Sequence, residues 1–364
     1  MPDVNAAAEV AARFALPGAV QQIEPVTQGH INDTWRVTCA GERAILQRIN
    51  SSVFRQPRQV MENIIRVTEH LRERILAADG DPARETLNLI SLRAGGWFYM
   101  DTQGEFWRMY DFIEGAEPCP PGATLDQVRQ AAAAFGRFQV LLEDLPGERL
   151  YETIPGFHHT PQRLTAFRQA AEGDAAGRLS AVRGEVQALF ERSGLAGRVA
   201  EALASGDLPR RVTHNDTKLD NVLLDSASGR GLCVIDLDTV MPGSLVYDFG
   251  DMVRMGASAA AEDEPDLDKV VLDLARFEQL TLGYLGEVRG LLAPAERDLL
   301  VFGAWLITYE QALRFLGDYL NGDTYYRVNY TGHNLVRART QIHMLAEFER
   351  NREAMEAVVR GITE

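Results

Sequence analysis

The side chains best suited to chemistry lie between positions 212 and 238. Asn221 follows Asp216 by five residues in the run VTHNDTKLDNVLLD, and Asp236 ends the later apolar run LCVID. A carboxylate beside an acceptor hydroxyl can take its proton, while an Asn and an Asp supply oxygen ligands of the kind that Mg²⁺ requires. The spacing therefore predicts magnesium-dependent phosphoryl transfer, with Asp216 at the acceptor and with Asn221 and Asp236 on the metal.

Two short apolar segments around these residues predict a β-hairpin. Residues 221–225 and 232–236 are rich in strand formers, and the intervening run SASGRG consists of turn formers. Pairing about Ser228 and Gly229 would put Asn221 opposite Asp236, close enough for both to hold one ion. The alternative is a hairpin that merely carries a polar residue at each end.

Two further residues of the first run have possible roles. Lys218 lies two residues after Asp216, where its charge could neutralise the oxygens of a transferring phosphoryl group. A solvated surface lysine is an equally good interpretation. We expect His214 to support the loop by packing under it and bonding to backbone, rather than to shuttle protons.

A second metal-type aspartate occurs in the run YDFGD. Asp248 begins the tripeptide that binds metal in protein kinases, but it lies 27 residues after Asn221, beyond a Pro-Gly turn and at a predicted helix start. We therefore predict that Asp236 binds the metal and that Asp248 caps backbone N–H groups or braces the loop. Asp238 could be a second ligand or a surface carboxylate.

Together these runs resemble the aminoglycoside phosphotransferase and choline kinase superfamily, and within it the N-acetylhexosamine 1-kinases. The resemblance covers nearly the whole chain, since it includes the runs FALPGA and GHIN near the N-terminus and RFLGDYLNGDTY and HNLVRARTQ near the C-terminus. It implies a two-lobed α+β fold of the protein-kinase type, with a small antiparallel-sheet N-lobe and a mostly helical C-lobe. The implied reaction is ATP-dependent phosphorylation of N-acetylglucosamine or N-acetylgalactosamine at the anomeric hydroxyl.

The resemblance also implies residues that bind the cofactors, ATP and Mg²⁺. ATP would lie between the lobes, with adenine against the backbone near Met109 and Asp111, and the loop that contains Gly29 would cover the phosphates or reach the acceptor. Gln47 stands where many kinases have the lysine that pairs with the phosphates. The compensating charge must then come from Mg²⁺, from Lys218 or from another base.

For the sugar, the resemblance implies contacts from His30, Arg314 and Tyr325, with Asp216 at the reacting hydroxyl. The plainer interpretations are a tight turn, a salt-bridged helix arginine and a half-buried tyrosine. Met255 stands where an aromatic residue is expected to line the sugar pocket, so the preferred hexosamine is left open.

Composition sets limits on the partners. The net charge is −15, with no Lys/Arg run, which argues against nucleic acid and anionic membranes. No apolar run approaches the roughly 20 residues that span a bilayer, no signal peptide is evident, and three scattered cysteines fit a reduced cytoplasm. At 364 residues the chain predicts two lobes: residues 1–115 for the nucleotide and 116–364 for catalysis and the acceptor, divided in the run EGAEPCPPG.

Periodicity predicts the elements that must position these residues. In the first lobe we expect strands at 20–26, 34–38, 43–49, 87–92, 96–101 and 106–112 and helices at 6–16 and 60–77. In the second we expect helices at 125–142, 161–171, 181–204, 267–288, 293–320 and 336–358, interrupted by the hairpin. Two alternatives to the sugar kinase stay open: a kinase of the same fold for another hexose, an amino alcohol or an aminoglycoside, and a catalytically inactive nucleotide-binding module.

Overall fold

The computed structural model describes residues 4–26 and 31–363. Its N-lobe is a five-stranded antiparallel sheet with three helices. In chain order the elements are α1 (Val4–Ala11), β1 (Val20–Val26), β2 (Asp33–Cys39), β3 (Glu42–Ile49), α2 (Pro57–Ala77), α3 (Pro82–Glu85), β4 (Phe98–Met100) and β5 (Phe106–Asp111).

The strand order of this sheet is β1-β2-β3-β5-β4. Successive side chains of a strand face opposite sides, and the buried strand β5 follows this rule. Trp107 and Met109 pack in a small core with α1, where Trp107 stacks on Trp35 at 5.3 Å between ring centroids. Tyr110 packs instead in the large core shared with α2 and the C-lobe, and Arg108 faces the same way. The sheet thus turns a single cation toward the C-lobe from β5.

The C-lobe is mostly helical. Its elements are β6 (Ala116–Pro118), α4 (Leu125–Leu141), α5 (Thr160–Gly173), α6 (Arg183–Glu191), α7 (Arg198–Ser205), β7 (Arg211–Thr213), β8 (Val222–Asp225), β9 (Gly231–Val234), β10 (Met241–Gly243), α8 (Leu245–Gly256), α9 (Leu274–Val288), α10 (Pro294–Leu320) and α11 (His333–Thr363). Helix α10 is long and apolar enough to cross a membrane, but 83% of its most apolar window is buried in the lobe, as in a core helix.

Two small sheets and one close helix contact hold the functional run in place. Strands β6, β8 and β9 form one sheet, and β7 and β10 form the other. Helix α8 packs on α10 through Gly250 and Gly303, where a Cβ at Gly250 would lie 2.4 Å from the Gly303 carbonyl oxygen. Only glycine allows this approach, and it fixes the helix that carries Asp248.

The predicted fold class is confirmed, with local corrections. The predicted Pro-Gly turn is strand β10, and the predicted helix 267–288 begins only at Leu274. The predicted strand 87–92 is wrong. β4 occupies the free edge of β5 at residues 106–108. Only the end of β5 is left for this segment, which makes a single bridge there, from Leu89 to Tyr110. The predicted helix 181–204 is broken into α6 and α7 by a turn that contains Gly194 and Gly197, residues that weaken a helix. The 115/116 boundary stays a prediction; β6 begins there and pairs with β8.

Candidate active site

The β8–β9 hairpin forms the base of the site, as predicted, with its register shifted by one residue. Val222 pairs with Val234, and the Ile235 N–H donates to the Asn221 carbonyl at 2.9 Å. Asp236 is therefore the residue after the one that faces Asn221. Its backbone lies in the left-handed region, with φ 60°, which is uncommon outside glycine and often marks functional turns.

Asp248 braces the loop that precedes the hairpin. Its two carboxylate oxygens accept the backbone N–H groups of His214 at 2.9 Å and Asn215 at 2.7 Å, and its carbonyl accepts the Thr217 hydroxyl at 2.6 Å. Burial raises the pKa of Asp248 to about 6, against the opposing effect of His214 and the two N–H groups. These bonds confirm the predicted bracing contact.

His214 lies under the same loop, as expected. Its Nε2 faces the Ile235 carbonyl at 2.9 Å and its Nδ1 faces the Asp216 N–H at 3.3 Å. Because a carbonyl only accepts, Nε2 donates to Ile235 and Nδ1 accepts from the Asp216 N–H. The ring therefore joins the loop to β9 and is fully used by backbone contacts.

Asp216 is held between two polar side chains. Lys218 Nζ lies 3.1 Å from Asp216 Oδ2, and the Asn221 amide donates to the Asp216 carbonyl at 2.9 Å. Burial alone would raise the pKa of Asp216, but the charge and hydrogen bond of Lys218, together with His214 and Arg254, outweigh it and the pKa is lowered. The Asp216 charge in turn raises the pKa of Lys218. The carboxylate is thus ionised and able to accept a hydrogen bond from an incoming hydroxyl.

Asp236 has the character of a cation ligand. Within residues 4–26 and 31–363, no side-chain or backbone hydrogen bond reaches its carboxylate. Burial, followed by the charges of Asp238 and Asp216, raises its pKa to about 7. The Asn221 amide N–H₂ is used by Asp216, which leaves its Oδ1 as a second oxygen. The described residues hold no group of three or more His, Cys, Asp or Glu suited to a metal. One carboxylate and one amide fit Mg²⁺, which takes its other ligands from phosphates and water.

Asp238 forms a buried ion pair with Arg108, a residue that the sequence reasoning missed. Arg108 is 1% exposed; its Nη1 donates to Asp238, and its Nε and Nη2 donate to Gln47 Oε1 at 3.0 and 2.8 Å. Asp238 is therefore not a surface carboxylate. The signal was the lone basic residue within the apolar β5 run FWRMYD, since a buried charge requires a partner.

On the acceptor side of the loop, His158 joins the catalytic loop to α10. Its two ring nitrogens lie 2.9 Å from the Asn215 carbonyl and 2.9 Å from Glu310 Oε1. Burial would lower the pKa of His158, but the Glu310 charge and both hydrogen bonds outweigh it and raise the pKa. Since both nitrogens face acceptors, the ring is an imidazolium. The pair fixes α10 against the residue that precedes Asp216.

Arg314 and Tyr325 lie together beyond this pair. The Arg314 guanidinium stacks over the rings of Phe157 at 5.4 Å, Tyr325 at 5.8 Å and Tyr326 at 5.4 Å, and Phe157 contacts the His158 ring at 4.5 Å. Tyr325 is 59% exposed, so it is not the half-buried residue of the plainer interpretation. Arg314 makes no salt bridge among the described residues, and its Nη1 donates to Gln311 Oε1 at 2.6 Å. The exposed Tyr325 side chain is open to a ligand, and the Arg314 guanidinium lies against its ring.

Asp251 on α8 is a second missed residue. Arg254 Nε and Nη2 both bind its Oδ1, each at 2.9 Å, and among the described residues nothing bonds to its buried Oδ2. Nothing in the sequence pointed to this site, because Asp251 looks like an ordinary charged residue on a helix. Arg254 itself lies close enough to Asp216 to lower its pKa, so the free oxygen belongs to the same region.

The remaining predicted residues are placed less directly. The Met109 side chain lies in the core with α1, and its carbonyl accepts the Ile90 N–H at 2.8 Å. Asp111 is exposed at the end of β5, and its N–H donates to the Asn88 carbonyl. Adenine contacts there stay a prediction. Gly29 and His30 fall outside the described residues.

A family model described as the phosphotransferase enzyme family matches residues 22–282, most of the chain. The match includes Asp216, Asn221, Asp236 and Asp248. The chain belongs to this family. It is therefore a phosphotransferase.

Solved structures similar to this phosphotransferase agree on the fold. A microcompartment-associated aminopropanol kinase is 19% identical, with 97% of this chain and 99% of that chain covered and a TM-score of 0.66. A choline kinase from Cryptosporidium parvum Iowa II is 13% identical over 99% of both chains, with a TM-score of 0.56. An amicoumacin kinase in complex with AMP-PNP and Ca²⁺ is 13% identical, covering 97% of this chain and 93% of that one, with a TM-score of 0.58.

Proposed function

We propose that this phosphotransferase transfers the γ-phosphoryl group of ATP to the anomeric hydroxyl of N-acetylglucosamine or N-acetylgalactosamine. The observation that carries the kinase assignment is the ionised Asp216, paired with Lys218 at 3.1 Å beside the unpartnered Asp236. Asp216 orients the hydroxyl and accepts its proton as the oxygen attacks. Lys218 carries positive charge to the phosphoryl oxygens, where negative charge develops.

Asn221 and Asp236 would hold Mg²⁺ on the ATP phosphates. The ion, when bound, neutralises phosphate oxygens and keeps the leaving group in line. The lobes contribute mainly by positioning, which is the larger part of catalysis in phosphoryl transfer. The anomeric hydroxyl suits a single carboxylate base because a hemiacetal hydroxyl is more acidic than an ordinary alcohol and needs only a modest base.

The charges around the acceptor side favour a neutral acceptor with hydroxyl and carbonyl groups. Arg314 and Arg163 lie near one another. Burial lowers the pKa of Arg163, and the nearby charge of Arg314 lowers it further. Guanidinium groups donate hydrogen bonds and cannot accept them. They suit the oxygens of a sugar and its N-acetyl carbonyl, and they disfavour an ammonium group. Tyr325 adds a ring and a hydroxyl.

Asp251 supplies what the arginines lack, a buried acceptor for a sugar hydroxyl. An unpartnered carboxylate oxygen is costly to bury, and a hydroxyl donor from the acceptor would satisfy it. The same oxygen keeps an amino alcohol open as a second candidate, because an ammonium group could also donate to it. The likeness to an aminopropanol kinase favours the amino alcohol on fold alone.

An acceptor screen separates the two. ADP release is measured with free N-acetylhexosamines, their methyl glycosides, other hexoses, amino alcohols and aminoglycosides. We expect turnover of the free N-acetylhexosamines and none of the methyl glycosides, whose anomeric oxygen is blocked. Phosphorus NMR of the product should show coupling to the anomeric proton. A 6-phosphate, turnover of the methyl glycoside, or preference for an amino alcohol would reject the sugar 1-kinase assignment.

A further inference from the structure

The polar network around Arg108 crosses from one lobe to the other. Gln47 pairs with Arg108 across β3 and β5, and Thr34 pairs with Gln47 across β2 and β3. The Gln47 amide donates to the Thr34 hydroxyl at 3.2 Å and accepts from Arg108. Arg108 then reaches Asp238 of the C-lobe. A row of side chains over three strands of the N-lobe thus ends on the segment that carries Asp236.

The second oxygen of Asp238 is tied to another part of the N-lobe. Asn32 Nδ2 donates to Asp238 Oδ2 at 2.6 Å, and Asn32 Oδ1 accepts the Asn50 N–H at 3.0 Å. Asn32 is the residue before β2. The Asp238 carboxylate, two residues after Asp236, therefore receives donors both from β5 and from the start of β2.

Arg108 is too enclosed to touch a phosphate itself. The guanidinium is 1% exposed and the Asp238 side chain 2% exposed, and donors from all three guanidinium nitrogens are used by Gln47 and Asp238. The Arg108 charge still acts on Asp236: it lowers the pKa of that carboxyl, whereas the charges of Asp238 and Asp216 raise it. Its influence must pass through Asp238 and through the electric field at Asp236.

A buried ion pair of this kind is weak evidence of stability, because removing two charges from water costs about as much as their attraction returns. Its value lies in fixed geometry: the planar guanidinium holds Gln47 and Asp238 in one plane at set distances. Gln47 occupies the β3 position where kinases commonly have a lysine, so β3 carries no positive charge at that position. Its partner on the neighbouring strand β5 is Arg108, which does carry one.

We propose that Arg108 is the positioning residue that replaces the β3 lysine: it holds Asp238, and through it the Asp236 segment and Asn32, in the arrangement that binds magnesium nucleotide. This inference rests on the proposed kinase function but not on the identity of the acceptor. Asp238 is accordingly the partner of Arg108 rather than a second metal ligand.

The test is nucleotide binding, measured by calorimetry with AMP-PNP over a range of Mg²⁺ concentrations, without acceptor. Arg108→Met and Asp238→Asn should each weaken magnesium nucleotide binding about tenfold, the size expected for one lost charge-assisted hydrogen bond, and raise the half-saturating Mg²⁺ concentration. Arg108→Lys keeps the charge and loses the planar fork, and should fall between. If Arg108 and Asp238 act only through their contact with each other, either single variant already removes that contact. The double variant should then bind magnesium nucleotide no more weakly than either single variant.

Arg48→Met is the matched control. Arg48 is the next residue along β3 from Gln47, and its guanidinium pairs with Asp33 on a half-exposed surface, with side chains 34% and 40% exposed. It should leave nucleotide affinity unchanged. Thermal unfolding without ligand separates folding from binding, and Asp238→Asn, which keeps the side-chain shape, serves if Arg108→Met unfolds. Wild-type affinity and Mg²⁺ dependence in folded Arg108→Met or Asp238→Asn, or an equal loss in Arg48→Met, would overturn the proposal.

Discussion

Replacing Asp248 by Asn tests the division of roles between the two aspartates. An Asn side chain keeps one oxygen for one of the two backbone N–H groups, but turns its own N–H₂ toward the other. The variant loses one hydrogen bond to a charged acceptor and leaves a buried N–H unpaired, each worth about 1–3 kcal/mol. Relief from burying a charge offsets part of this. We expect a net loss of about 2–4 kcal/mol, which is about 3–5 °C in Tm at this chain length.

The assay is thermal unfolding without ligand, followed by nucleotide binding at varied Mg²⁺. Asp248→Asn should lower Tm and keep the half-saturating Mg²⁺ concentration, while Asp236→Asn should raise that concentration and not lower Tm, because its carboxylate has no partner among the described residues. Asp220→Asn, an exposed change in the same loop, controls for the loop itself. The reasoning is refuted if Asp248→Asn raises the Mg²⁺ requirement and Asp236→Asn does not.

Three other outcomes are expected. Asp216→Asn should keep the fold and nucleotide binding while lowering kcat by about 10²–10⁴, the usual contribution of a positioned acid or base; near-normal turnover would remove Asp216 from that role. His158→Gln should be less stable than the wild type at pH 6, with the difference shrinking as pH rises, which unfolding at several pH values between 6 and 9 would show. The raised pKa of His158 means that its charged pair with Glu310 stabilises the fold fully below the unfolded pKa and is lost as pH rises through the folded pKa. Arg314→Met should raise the KM for the acceptor far more than it lowers kcat, because Arg314 is proposed to bind parts that do not react; unchanged acceptor KM would exclude that contact.

Local patterns in the sequence were enough for the catalytic hairpin and most of the helices. Strand formers on both sides of a turn-forming run predicted β8 and β9. The predicted Pro-Gly turn is instead strand β10, paired with β7, but Asp248 lies in the first turn of a helix, α8, as predicted. The one-residue error at Asp236 arose because the turn is centred one residue earlier than predicted, with the Asp225 N–H donating to the Arg230 carbonyl. The irregular pairing near Leu224 recovers half of that shift. Patterns in sequence locate strands better than they fix their register.

The replacement for the missing lysine could not be read from the sequence, because it depends on a non-local neighbour. Arg108 lies 61 residues from Gln47, and only the order in which β5 is placed beside β3, with β4 outside, brings them together. No short-range spacing encodes that order, and a lone arginine in an apolar strand predicts only that it has a partner somewhere. The partner turned out to be a carboxylate two residues beyond the proposed metal ligand. If Arg108 acts as proposed, a cation on β5 takes the place of one on β3 at this point between the lobes.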